Sequence, residues 1–153
     1  MSKGTILYVG GFELPDKNAA AHRVLSNGKI FRKLGYTVVF IGVNKSLEYK
    51  KNIYETRRKI QGFDCWLNPY PKSIREWVKY LTNIDSIKMI CNKYNDVKAI
   101  IAYNYQSIAL NRLRGYCKKR DIKLIADCTE WYDTKGSHIF FKIIKGLDTF
   151  LRM

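Results

Sequence analysis

The order of apolar runs and glycines in the first 42 residues constrains the fold more than any other feature of the sequence. Residues 5–9 form a short apolar run rich in β-forming side chains, and Gly10–Gly11 follows it directly. Asn18 is a candidate N-cap for a helix in which residues 19–34 place apolar side chains on one face, and Gly35 ends that pattern. A second apolar run at 37–42 completes a strand, loop, helix and strand. This order predicts a βαβ unit with a right-handed crossover.

The alternation of strand and helix patterns continues to residue 126. Three further strands are predicted, at 63–67, 99–103 and 123–126. Two sheet-covering helices are predicted, at 74–81 after a Ser73 cap and at 84–91, and another helix at 108–117. Residues 45–59 are basic with weak periodicity, so we expect a surface loop or a poorly anchored helix there. The whole pattern predicts an α/β fold with a Rossmann-like, doubly wound, mainly parallel sheet flanked by helices.

Ligands of doubly wound sheets bind outside the carboxyl ends of the strands, which makes three segments candidates for the site. They are residues 10–18, 104–107 and 127–133. In the first segment, Gly10 and Gly11 would let the backbone approach a phosphate or a sugar closely, but a simple βα turn explains them as well. Phe12 and Pro15 stand where a dinucleotide fingerprint needs glycines, which disfavours a nicotinamide or flavin site.

The third segment interleaves carboxylates with aromatic side chains. Asp127, Glu130 and Asp133 surround Trp131–Tyr132. Carboxylates accept hydrogen bonds from hydroxyl groups, and aromatic faces pack on sugar rings, so the combination suits sugar binding. One carboxylate could also act as a base towards an acceptor hydroxyl. The alternative is structural, with Asp127 capping a turn and Trp131 filling a gap.

His22 and Arg23 lie near the positive end of the first predicted helix. They would either hold an anionic ligand there or form an ordinary surface or interface pair. The chain has only one other histidine and no closely spaced pair of metal ligands. It therefore lacks residues that a zinc hydrolase or a Ser–His–Asp hydrolase needs. We therefore predict no metal site. The four cysteines are too far apart for a zinc ribbon, which predicts free thiols.

The formal charge of +15 requires an anionic partner or surface. The basic side chains could form a solvated face, contact an anionic membrane leaflet or bind nucleic acid. Nucleic acid is disfavoured because no recognised nucleic-acid-binding motif accompanies the charge. No apolar run is long enough to span a bilayer, and no signal-peptide pattern opens the chain, so we expect a cytoplasmic protein with peripheral contact at the inner face of the membrane.

Residues 137–153 carry apolar side chains in helical spacing, and no strand follows them. A parallel α/β domain would normally return from such a helix into another strand. We therefore expect residues 1–153 to be a single domain that has been cut from a longer protein.

Five short segments resemble family 4 glycosyltransferases with the GT-B architecture. They read ILYVGG (6–11), PDKNAAAHRV (15–24), GYTV (35–38), IIAYN (100–104) and IADCTEWY (125–132). The resemblance covers nearly the whole chain and implies the amino-terminal, acceptor-side domain. A carboxyl-terminal donor-binding domain would be missing, and this fragment alone would be inactive.

The resemblance implies a retaining, hexosyltransferase-type reaction without a metal or a permanently bound cofactor. A nucleotide-sugar would donate the sugar to a glycan or lipid-linked acceptor, as in surface polysaccharide synthesis. Gly10 and Gly11 would face the donor phosphates, and Asp127 and Glu130 are the candidate catalytic residues, although many relatives have a histidine in that loop. Acceptor binding is assigned to polar and aromatic residues of the same segments, namely Asn18, His22, Arg23, Asn104, Trp131 and Tyr132. The alternative function is a non-catalytic basic module that binds nucleic acid or an anionic membrane surface.

Overall fold

The computed structural model describes residues 2–48 and 52–129. Within them one sheet contains the strands β1 (Thr5–Gly10), β2 (Thr37–Asn44), β3 (Arg58–Ile60), β4 (Phe63–Pro69), β5 (Val97–Tyr103) and β6 (Lys123–Asp127). The α-helices are α1 (Ala19–Lys33), α2 (Ile74–Thr82), α3 (Asp85–Cys91) and α4 (Ser107–Lys119). A short 3₁₀ helix spans Ile53–Thr56.

The strands lie in the order β3-β4-β2-β1-β5-β6. Neighbouring strands are parallel except β3 and β4, which are antiparallel. The predicted α/β class, with a mainly parallel sheet flanked by helices, is therefore confirmed, and the topology is compatible with a Rossmann-like fold. From β1 the chain adds β2 and β4 on one side and later β5 and β6 on the other. The order thus reverses between β1 and β5, where such sheets form a ligand crevice.

The core has two layers, one on each face of the sheet. On the face that we call the α1 face, Tyr8 and Phe40 pack with Val24 of α1. On the other, the α4 face, Leu7 and Val9 pack with side chains of α3 and α4. Successive strand residues point to opposite faces, so β1 contributes to both layers and is buried throughout.

Local capping signals in the sequence are confirmed. The Asn18 side chain accepts a 2.8 Å hydrogen bond from Ala21 N at the start of α1. Ser73 and Glu76 form a reciprocal capping box at the start of α2. Each contact involves residues only three positions apart, which is why the sequence alone predicts it.

The prediction that two helices cover the sheet is confirmed for residues 84–91 and wrong for residues 74–81. α3 buries Ile87 and Ile90 as expected, but none of the nine residues of α2 is buried. The main contact of α2 is with α4. Periodicity shows that a helix has an apolar face, but it does not show which neighbour covers that face. Here α3 and α4 already occupy the α4 face.

The basic segment at 45–59 is anchored at its carboxyl end by the core residue Ile53, by pairing with β4 and by one carboxylate. β3 pairs with β4 through a two-residue turn in which Gln61 and Gly62 both have positive φ. Asp64 of β4 binds Arg57 at 2.9 Å and Lys59 at 3.0 Å. The predicted loop therefore contains the 3₁₀ helix and an edge strand, while residues 49–51 and the predicted helix at 137–153 lie outside the described residues.

Across residues 2–48 and 52–129, no helix combines the length and apolar character needed to cross a membrane. Cys65, Cys91 and Cys117 are buried, whereas Cys128 is exposed, and all four are free thiols as predicted.

Candidate functional site

The candidate segments meet at the carboxyl edge of the sheet. Gly10 of β1 pairs in register with Tyr103 of β5, and Tyr103 pairs with Asp127 of β6. These three residues therefore form a row across adjacent strands at the reversal of the strand order. Neighbouring strands are about 4.8 Å apart, so Gly10 and Asp127 lie within about 10 Å of each other.

The two glycines after β1 differ in their surroundings. Gly10 is buried, and a Cβ there would lie 2.6 Å from the Tyr103 carbonyl oxygen, which is too close. Its missing side chain is thus required by strand packing whether or not a ligand binds. Gly11 is exposed, and a Cβ there would lie 3.3 Å from Tyr80 Oη. Of the two glycines, Gly11 is the one that presents backbone to the edge of the sheet.

The segment after Gly11 is anchored. Phe12 and Leu14 are buried, and the Phe12 carbonyl oxygen accepts a 2.9 Å hydrogen bond from Val43 N of β2. Gly42 makes room for this contact, since a Cβ there would lie 2.6 Å from the same carbonyl oxygen. The loop therefore continues the surface of the sheet over the end of β2.

Asp127 is the centre of a polar cluster on the α1 face. Arg23 Nη2 donates a 2.8 Å hydrogen bond to Asp127 Oδ1, and Tyr8 Oη donates to Asp127 Oδ2. Asn27 Nδ2 in turn donates to Tyr8 Oη at 3.1 Å. Arg23 and Asn27 are one helical turn apart on α1, so both can reach the end of β6 and the side chain of β1.

The cluster stabilises the charged form of Asp127. Burial raises the pKa of Asp127, but the hydrogen bonds from Arg23 and Tyr8 outweigh this and hold the pKa below its ordinary value. Burial and the hydrogen bond to Asp127 raise the pKa of Tyr8, so its hydroxyl remains a donor. The hydrogen bond to Asp127 also raises the pKa of Arg23. Asp127 is therefore a carboxylate with both oxygens engaged.

Asn104 fixes the turn that follows β6. Its side-chain oxygen accepts from Thr129 N at 2.9 Å, and its Nδ2 donates to Thr129 Oγ1 at 3.0 Å. Asn104 N donates to the Asp127 carbonyl oxygen. Asn104 adopts a positive φ of 42°, which asparagine tolerates better than most residues. Its side chain thus holds residues 127–129 in place.

The other sequence-predicted residues fall into two groups. Asn18 and His22 are exposed on the start of α1, and Asn18 serves there as the N-cap. The second group lies outside the described residues and comprises Glu130, Trp131, Tyr132 and Asp133. The structure therefore brings Arg23, Asn104 and Asp127 together at one edge of the sheet, next to the glycine pair.

A cavity of about 490 Å³ opens on the opposite, α4 face of the same edge. Val9, Gly10 and Ile41 line its inner wall. Its polar lining includes Asn52, Asn68, Tyr80 and Asn83. This cavity could not be predicted from the sequence, because its walls come from strand ends and from the α2–α3 junction, which meet only in the folded chain. The contact of Tyr8 with Asp127 could not be predicted either, because a tyrosine within an apolar run is typical of a core strand.

Over the described ranges, no three His, Cys, Asp or Glu side chains converge in a way that could hold a metal ion. Comparison of the chain with protein-family models, with curated proteins and with solved structures finds no match. The function must therefore be argued from the residues and the geometry alone.

Proposed function

We propose that this chain is the acceptor-side half of a retaining glycosyltransferase of the GT-B type, which moves a hexose-type sugar from a nucleotide-sugar to a glycan or lipid-linked acceptor. The observation that supports this most is the row of Gly10, Tyr103 and Asp127 at the reversal of the strand order. The row brings together residues from three of the five segments that resemble family 4 glycosyltransferases, at the edge where an α/β sheet binds ligands.

In this proposal Arg23 provides positive charge at the edge of the sheet. Its side chain is half-exposed, while its partner Asp127 is largely covered. Asp127 therefore positions the guanidinium group, which can pair with a donor phosphate or with an anionic group of the acceptor. The lowered pKa makes the Asp127 carboxylate a weak base, so we assign the general base to the other candidate, Glu130.

The cavity on the α4 face suits one or two sugar rings of the acceptor. Its volume lies within the range of small-ligand sites. Asparagine side chains both donate and accept hydrogen bonds, which matches ligand hydroxyl groups, and Tyr80 provides an aromatic face. Lys79 and Asp85 both line the cavity, so it carries no strong net charge and favours a neutral ligand.

The test uses the protein encoded by the whole reading frame that contains these residues. Nucleotide release and product formation are followed with a panel of nucleoside diphosphate sugars and with oligosaccharide and lipid-linked acceptors. Gly11→Trp should abolish transfer by blocking the edge, and Arg23→Gln should lower kcat/KM by about tenfold or more because it removes the positioned charge.

Gly115→Ala is the matched control, because Gly115 lies on α4 and a Cβ there meets no atom within 4 Å. It should transfer as the unaltered protein does. Absence of transfer with every donor would overturn the proposed function. Full activity in both Gly11→Trp and Arg23→Gln would overturn the site instead.

A further inference from the structure

α2 presents an apolar face that the rest of the described chain leaves in solvent. Ile74 and Val78 are one turn apart on this face, and 67% and 54% of their surfaces are exposed. Trp77 and Leu81 belong to the same face and are only partly covered. None of the nine residues of the helix is buried. Within residues 2–48 and 52–129 the main packing partner of α2 is α4, and this contact leaves Ile74 and Val78 accessible to a partner.

The charges around α2 indicate what that partner is. Lys72 and Arg75 are exposed beside the apolar face, whereas Lys79 lies further round the helix and lines the cavity. Glu76 is the only acidic residue from 70 to 83, and its carboxylate accepts hydrogen bonds from Lys72 N and Ser73 N in the capping box. The surface is therefore apolar with basic residues beside it, on a chain whose formal charge is +15.

Aromatic side chains extend this surface. Trp77 packs edge-on against Tyr70 and Tyr80, with ring centroids 5.5 and 5.8 Å away. Lys45 lies over the Tyr70 ring at 5.6 Å. Trp and Tyr favour the headgroup region of a bilayer because they combine an apolar ring with a polar atom.

The end of α1 provides a contrast. Ile30 and Leu34 are also exposed there, beside Lys29 and Lys33. However, α1 buries its other face against the sheet, and α1 is therefore held without any partner. Its last-turn basic residues complement the negative end of the helix dipole. Both features of α1 are thus explained within the fold, whereas the apolar face of α2 is not.

We propose that α2 docks in the plane of an anionic phospholipid bilayer. Ile74 and Val78 insert among the headgroups, and Lys72 and Arg75 contact the lipid phosphates. The inference rests on the exposure and charge of α2 and does not depend on the proposed enzymatic function. A helix of nine residues contributes a small apolar area, so the binding is reversible and sensitive to salt.

The test is co-sedimentation of the chain with phosphatidylcholine vesicles, with and without about 30% phosphatidylglycerol. The chain should bind only the anionic vesicles, and the bound fraction should fall between about 0.1 M and about 1 M salt. Ile74→Ser/Val78→Ser should reduce the apparent partition coefficient by about tenfold or more. Lys72→Gln/Arg75→Gln should reduce it by about ten- to thirtyfold.

Matched variants on α1 serve as controls. Ile30→Ser/Leu34→Ser removes an equally exposed apolar pair at the same spacing, and Lys29→Gln/Lys33→Gln removes the same charge. Both should bind as the unaltered chain does, and cooperative urea unfolding of all four variants is the check of folding. Failure to bind anionic vesicles, or an equal loss in the α1 and α2 variants, would overturn the proposal. Binding to nucleic acid but not to vesicles would overturn it as well.

Discussion

Arg23 and Asp127 are 104 residues apart in sequence, and Arg23 Nη2 lies 2.8 Å from Asp127 Oδ1. This ion pair joins the first helix to the end of β6. It also fixes the position of the segment that leads into Glu130, the candidate general base. The pair therefore connects the stability of the edge of the sheet with the geometry of the candidate site.

Replacing Arg23 should lower the free energy of unfolding at neutral pH. It should also make that free energy fall less steeply as the pH is lowered into the acid range. The pKa of Asp127 is lowered in the folded chain, so its ionised form stabilises folding above the unfolded-state pKa, and this contribution is lost as the pH falls through the folded-state pKa. In Arg23→Gln the carboxylate loses a partner and its folded-state pKa rises. Urea unfolding from neutral pH to about pH 2 should show a lower midpoint near neutrality and convergence with the unaltered chain at low pH. A constant difference at all pH values would contradict this account.

Gly10→Ala should destabilise the fold by about 1–3 kcal/mol, because the added Cβ meets backbone that has no room to move. The contact in question is with the Tyr103 carbonyl oxygen, at 2.6 Å. Gly115→Ala on α4 should instead stabilise the chain by about 0.5–1 kcal/mol, since alanine is the better helix former and open space surrounds the site. Urea denaturation measures both changes, and equal midpoints in the two variants would show that the β1–β5 contact is looser than described.

One of the four cysteines should react fast with a thiol reagent in the folded chain. Cys128 is exposed, whereas Cys65, Cys91 and Cys117 are buried. Burial also raises the pKa of Cys65 to about 12 and that of Cys117 to about 11, which keeps both protonated near neutral pH. The fast phase of the thiol reaction should correspond to one thiol and should disappear in Cys128→Ser. Denaturant should make the other three thiols react. A second fast thiol would indicate local opening of the core.

Features that depend on nearby residues could be predicted from the sequence. The helix caps at Asn18 and Ser73 involve residues three positions away, so the signal and the structure lie in the same short segment. The βαβ unit was predictable for the same reason, since its strands are marked by continuous apolar runs that are buried on both faces.

Features that depend on distant residues could not be predicted. The apolar face of α2 is visible in the sequence, but its exposure depends on the space that α3 and α4 already fill. Tyr8 resembles any core residue of β1 until β6 places Asp127 beside its hydroxyl group. The three residues of β3 were also too few to show a strand pattern, and the position of β3 is defined by its pairing with β4, which the sequence does not show.

The hydrogen bond between Val43 N and the Phe12 carbonyl oxygen has a consequence for recognition. A binding loop that must become ordered when its ligand arrives loses conformational entropy at that moment, which weakens the affinity. The segment from Phe12 to Leu14 is already buried and tied to β2. This rim of the candidate site is therefore ordered in advance, and a ligand bound there would lose little affinity to the ordering of the loop.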